Sequence, residues 1–204
     1  MMNRRFKLVN IAFIFIIFVL ILIRLNVETT FIWDLMIIIL SAIFIIFFIY
    51  TRLALWYYKQ IIKYFIKEEY EEVILRSKKY FKFFPKWLIG EYIYLSLGVT
   101  YFMLDNKPEL LTYLNKINSK RLLATKYYWL ILYHLINNEY SEAKNFYVEY
   151  SNYQNSENYP TYNYILTTIF SILEDETINK TKKIDELLKI ITNKKIRSYL
   201  ESLK

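Results

Sequence analysis

The stretch Phe31–Tyr50, FIWDLMIIILSAIFIIFFIY, constrains this chain more than any other. Its twenty residues carry one charge, Asp34. A helix of about 20 residues rises roughly 30 Å, the thickness of a bilayer's hydrocarbon core. Just upstream, Leu8–Ile23 (LVNIAFIFIIFVLILI) is a second apolar run without a charge. The two predict a transmembrane hairpin with helices over about 7–25 and 31–50. The basic start Met1–Lys7 resembles that of a signal peptide, but no small-x-small cleavage pattern follows Ile23. An uncleaved anchor is the better reading. The first run is short for a span, and Phe6 and Leu25 lengthen it, with Arg24 snorkelling to the interface.

The basic residues at the ends set an orientation. Arg4, Arg5 and Lys7 precede the first helix, and Arg52, Lys59 and Lys63 follow the second. The loop between them offers Arg24, beside Glu28. The positive-inside rule then predicts a multi-pass protein of the plasma (inner) membrane with both termini in the cytoplasm. Trp56-Tyr57-Tyr58 falls where an interfacial aromatic belt would lie on that side, and Trp33 suits the other face. Asp34 reads as a proton or ion site in the membrane or as an interfacial carboxylate favoured by a helix N-terminus; the second reading is the simpler.

The expected division is a transmembrane hairpin, 1–51, and a cytoplasmic helical domain, 52–204. Two glycines and three prolines in 204 residues suit long helices and short turns and argue against a sandwich or barrel. The absence of cysteine excludes disulfides, thiol chemistry and cysteine-ligated zinc. Of the net charge of +8, a surplus of six basic residues lies from Arg52 onward, spread rather than gathered. No nucleic-acid motif accompanies it, so an anionic lipid surface is the more economical partner.

From Arg52 the pattern becomes amphipathic, with Lys59, Lys63 and Lys67 four residues apart and Ile61, Ile62, Phe65 and Ile66 on other faces. This helix is expected to continue the second span and to end near Lys67–Glu69. Glu69-Tyr-Glu-Glu-Val73 is echoed by Glu139-Tyr-Ser-Glu-Ala143, 70 residues on. Between them Asp105-Asn-Lys-Pro108-Glu109 is a turn with proline where a helix starts. Just before it stands Tyr94-Leu-Ser-Leu97-Gly98-Val-Thr-Tyr101. This run resembles the tetratricopeptide (TPR) pattern W-x₂-L-G-x₂-Y, with tyrosine in place of tryptophan. Leu110 and Leu114 follow at the spacing of that family's A-x₃-F step, as do Ala143 with Tyr147 and Val73 with Ser77. Pro85 falls where the family's closing proline would be.

The resemblance covers residues 54–156 as three helical hairpins and implies an all-α fold, a TPR-like stack of antiparallel helix pairs. It also implies a concave groove lined by the first helix of each pair. On this alignment the lining residues are Tyr92, Leu95, Val99 and Phe102, then Tyr128, Leu132 and Leu135. An open groove of this character would take an apolar peptide or a partner helix. The alternative is that a neighbouring helix or the C-terminal segment covers it. The lysine and asparagine clamp with which some relatives hold a C-terminal carboxylate has no counterpart. After Ser151 a polar loop is expected, then a helix over 163–173 and closing elements over 183–191 and 196–203 that suit the terminal cap of a stack.

No P-loop, GxSxG, HExxH or paired catalytic carboxylate pattern is present, and no cofactor or metal is expected. His134, the only histidine, reads as a general base or as a residue packed between helices. The acidic knot Glu68–Glu72 reads as the negative start of a helix, because carboxylates adjacent in sequence point to different helix faces. The tyrosines recur at helical packing spacing rather than as base-stacking platforms. The expected function is a membrane-anchored scaffold or adaptor for an unknown protein partner. The alternative is a small membrane-resident immunity or toxin-neutralising protein acting through its hairpin.

Overall fold

In the computed structural model, residues 15–16, 18–22, 31–153, 160–175 and 179–204 are described, and among them every regular element is a helix. The long helix α1 runs from Phe31 to Ile66. No proline or glycine interrupts its 36 residues, so it extends without a break for about 54 Å at about 1.5 Å per residue. Within it, Asp34–Ile66 is long and apolar enough to cross a membrane, and 6% of its most apolar window is buried in the fold. Side chains such as Ile38 and Ile46 are exposed. The Thr51 hydroxyl donates to the Phe48 carbonyl oxygen at 2.8 Å, so this polar group is satisfied within its own helix. Of the first apolar run, residues 15–16 and 18–22 are helical. The rest of the expected 7–25 helix lies outside the described residues.

The chain forms two compact units, Met1–Gln60 and Ile61–Lys204. In the second unit α2 (Tyr70–Phe83), α3 (Lys86–Met103), α4 (Lys107–Leu114), α5 (Lys120–Ile136) and α6 (Tyr140–Ser151) follow one another through short turns. Then come α7 (Pro160–Glu174), α8 (Lys180–Ile190) and α9 (Lys194–Ser202). Helix α3 packs on α2, α4 and α5; α5 packs on α6; α8 lies against α7 and α9; α9 touches α5.

Three of the turns share one geometry. Glu68, Asp105 and Asn138 have φ of 61°, 57° and 59°, the left-handed region. After each, the next residue's amide reaches back five positions. Glu69 N donates to Tyr64 O at 3.0 Å, Asn106 N to Tyr101 O at 3.0 Å, and Glu139 N to His134 O at 2.8 Å. The left-handed residues themselves donate to Phe65, Phe102 and Leu135 carbonyls. This is the Schellman arrangement, which satisfies the orphan carbonyls of a helix C-terminus. The three turns recur at intervals of 37 and 33 residues.

Packing repeats with the turns. Val73, Leu110 and Ala143, each five residues beyond the left-handed position, are fully buried. So are Tyr80, Ile117 and Tyr150, twelve beyond it. Helix α4 starts cleanly, with the Asn106 side chain accepting from Glu109 N at 3.2 Å and Pro108 in its first turn. Helix α3 is kinked at Ile89, where φ −144° and ψ 20° leave the helical region.

At Gly98 helices α3 and α4 approach closely. A Cβ built on it would lie 2.4 Å from Leu114 Cδ2 and 2.7 Å from Leu114 Cγ. Leucine therefore fills the space on α4 that glycine leaves on α3.

Candidate binding surface

The seven residues expected to line a groove lie on α3 and α5, and these helices pack on each other. Val99, Phe102, Tyr128, Leu132 and Leu135 are buried, while Tyr92 and Leu95 are half-buried. Much of what covers them comes from the C-terminal helices. Tyr162 of α7 stacks on Tyr128 with ring centroids 4.1 Å apart. Burial pushes the Tyr128 phenol well above its usual range. Phe102 is fully buried, edge-on to Trp129 at 5.2 Å and to Tyr133 at 6.5 Å.

The start of α9 closes over the same place. Lys195 Nζ lies 5.0 Å from the Phe102 ring centroid and donates to the Phe102 carbonyl oxygen at 2.8 Å. It also pairs with Asp105. Asn193 caps α9, accepting from Lys195 N at 3.1 Å and Ile196 N at 3.2 Å, and its amide meets Met103 Sδ at 3.2 Å. Lys194 Nζ reaches Glu68 Oε2 at 2.9 Å. Two consecutive lysines thus hold the left-handed residues of two successive turns.

Of the seven, Tyr92 lines an open cleft. The cleft measures about 440 Å³ and sits around the kink of α3. Its walls include Lys86, Trp87, Tyr94 and Lys116. Lys116 Nζ stands 5.6 Å from the Tyr94 ring centroid and 4.7 Å from that of Tyr113. Across the floor, Glu91 Oε1 accepts from Asn118 N and Ser119 N, both at 3.0 Å, and so fixes the approach to α5. The cleft is amphipathic: aromatic faces with two ammonium groups near them. Sequence reasoning missed it because the kink at Ile89 has no residue signature of its own. Pro85 and Gly90 flank it and were the available signal.

His134 sits in a lock rather than a cleft. Its Nδ1 is 2.6 Å from Glu139 Oε2, and Lys107 Nζ is 2.7 Å from Glu139 Oε1. Phe146 stacks on the imidazole at 5.2 Å. The opposite nitrogen, Nε2, is buried without a hydrogen-bond partner among the described residues. With Nδ1–H donating to Glu139, Nε2 carries only a lone pair, which limits the cost of burying it. A general base must reach the proton it abstracts, and this nitrogen is sealed from solvent. The hydrogen bond from Lys107, then that from His134, holds the Glu139 carboxyl below its usual range despite partial burial. The same contact raises Lys107.

The acidic knot disperses. Glu68 pairs with Lys194, Glu69 with Lys67 at 3.6 Å and Glu72 with Arg76 at 3.1 Å. Among the described residues no group of three or more His, Asp or Glu side chains converges as metal ligands.

No protein-family model, curated protein or solved structure matches this chain.

Proposed function

We propose that the chain is a membrane-anchored interaction module. In this reading a two-helix transmembrane hairpin, with both termini in the cytoplasm, carries a TPR-like stack of helix pairs that holds a partner protein at the inner face of the plasma membrane. The observation that carries the reading is the apolar window of α1, of which 6% is buried. An exposed apolar surface of this length is a liability in water, and a bilayer is the solvent it fits.

The recurrence of one left-handed turn at 37 and 33 residues supports the stack, since the TPR period is about 34. The close approach at Gly98 supports the same register. With five of the seven expected groove residues buried, the partner is assigned to the cleft beside Tyr92. An apolar side chain of the partner would lie against Trp87 and Tyr94, and acidic neighbours would meet Lys86 and Lys116.

A photo-crosslinking amino acid at Tyr92, compared with one at exposed Val148, tests this in native membranes washed with alkaline carbonate. The expected result is retention of the chain in the membrane and one discrete intermolecular product at Tyr92 only. Release by carbonate would remove the anchor. Identical products at both positions would remove the binding site. A reporter active only outside the cytoplasm, fused after Lys204, should stay silent; a strong signal would reverse the orientation.

A further inference from the structure

Helix α9 is built against its own dipole. Lys194, Lys195 and Arg197 place three cations in its first four residues, and its first turn holds no carboxylate. Cations near a helix N-terminus oppose the macrodipole. At nine residues α9 is also shorter than the roughly 12–15 that an isolated helix needs in water. Its helix therefore depends on what it docks against. Arg197 is engaged with the end of α8, donating to the Ile191 carbonyl oxygen at 3.0 Å. The two lysines are engaged with the turns that follow α1 and α3. Lys194 Nζ meets Glu68 Oε2 at 2.9 Å, and Lys195 pairs with Asp105 while donating to the Phe102 carbonyl oxygen at 2.8 Å. That oxygen lies at the C-terminal end of α3, the negative pole of the helix. The Phe102 ring lies under Lys195, and Ile196 and Leu200 of α9 are buried. The face beneath α9 thus reads two consecutive cations and two apolar side chains four residues apart.

We propose that α9 is an exchangeable strap, and that the face beneath it binds a partner helix of the same chemistry: a first turn with two consecutive cations, then apolar residues four apart. Phe102 lies about 15 Å along α3 from Tyr92, so this surface is separate from the cleft and stands whether or not the cleft binds. The polar grip of the strap is solvated. The Lys194 side chain is 80% exposed and that of Asp105 71%. Pairs so exposed contribute little and are screened by salt. With Ile196 and Leu200 as its buried anchors, α9 belongs to the low-stability end of the molecule, where local opening precedes global unfolding. Charge complementarity selects the partner. Glu68, Asp105 and the carbonyl end of α3 form a negative rim, and nearby Lys107 is engaged by Glu139. A partner helix competes with a tethered rival, so its apparent affinity falls with the fraction of chains whose strap is open.

The probe is a fluorescent synthetic peptide with the sequence of residues 191–204, and anisotropy reads its binding to the full chain in mild detergent. The unmodified chain, its site filled by its own α9, should bind weakly. Lys194→Glu with Lys195→Glu sets the chain's own strap against Glu68 and Asp105. That variant should bind the peptide at least about tenfold more tightly. A peptide with the same two glutamates should bind neither chain. Equal affinity of the two folded chains for the unmodified peptide would overturn the proposal. Circular dichroism shows whether the variant folds, and if it does not, hydrogen exchange on the unmodified chain decides. There α9 amides should exchange faster than those of α5, and faster again as salt rises. Exchange at α9 as slow as at α5 and insensitive to salt would overturn the strap. Light scattering of the unmodified chain separates the two sources of such a helix. A monomer is expected; a dimer that the peptide disperses would give the site to α9 of a second copy and overturn the assignment to a separate partner.

Discussion

Gly98→Ala is a small change with a calculable outcome. The new methyl would stand 2.4 Å from Leu114 Cδ2 and 2.7 Å from Cγ, whereas carbons in contact are normally about 3.5–4.0 Å apart. Leu114 is fully buried, so it cannot swing into solvent. Overpacking of this kind costs about 1–3 kcal/mol. Alanine meanwhile gains about 1 kcal/mol of helix propensity over glycine. The net expectation is a destabilisation of up to about 2 kcal/mol for alanine and about 2–3 kcal/mol for Gly98→Leu. The leucine variant should lower the thermal midpoint by roughly 4–12 °C, at about 2–4 °C per kcal/mol for a unit of this size. The decisive variant is the pair. Leu114→Ala alone leaves a cavity costing about 2–5 kcal/mol. In Gly98→Ala with Leu114→Ala the new methyl has room, so the double change should cost less than the sum by about 0.5–3 kcal/mol. Circular dichroism melts of the full chain in mild detergent provide the measurement. A raised midpoint for Gly98→Ala, or strict additivity in the cycle, would refute the close approach of α3 and α4.

Other perturbations follow from the same contacts. Phe102→Ala should cost about 3–5 kcal/mol, the usual loss for a large buried ring, whereas Tyr92→Ser, at a half-buried position, should cost distinctly less; equal effects would mean that Phe102 is not enclosed. The Glu139 carboxyl is held below its usual 4.5 by Lys107 and His134. Its contribution to stability is therefore complete above that value and is lost as pH falls through the lower folded-state value. Glu139→Gln should be less stable than the parent at neutral pH and flatter in acid, and parallel curves between pH 5 and 2 would contradict the lock. Truncation after Ile191 should expose Phe102 and raise proteolytic cleavage within α3, which limited proteolysis reads directly.

Much of the helical architecture was legible because its signals are local. The helix start at Tyr70, the proline-marked turn before α4 and the merging of the apolar span into an amphipathic helix all follow from spacing and caps. Gly98 was legible as a contact because glycine inside a helix otherwise weakens it. The covering of Phe102 and Tyr128 was not legible as a choice between alternatives. It depends on Tyr162 and Lys195, 34 and 93 positions away, and no local pattern encodes such pairings. The left-handed backbone at Glu68 escaped for a different reason. Glu68 is a helix former rather than a turn residue, and its backbone there is set by the Schellman hydrogen bonds.

Lys194 and Lys195 hold turns made 126 and 90 positions earlier in the chain. A ribosome adding about 5–20 residues per second needs roughly 6–25 s to travel from Glu68 to Lys194. During that interval α1 and the first helices are already complete, yet the residues that clasp their turns do not exist. The nascent chain therefore passes through a stage in which Phe102 and Tyr128 are uncovered and the rings of α3 and α5 face whatever surrounds them. Synthesis of α9, rather than the emergence of any one hairpin, is the event that clasps these turns.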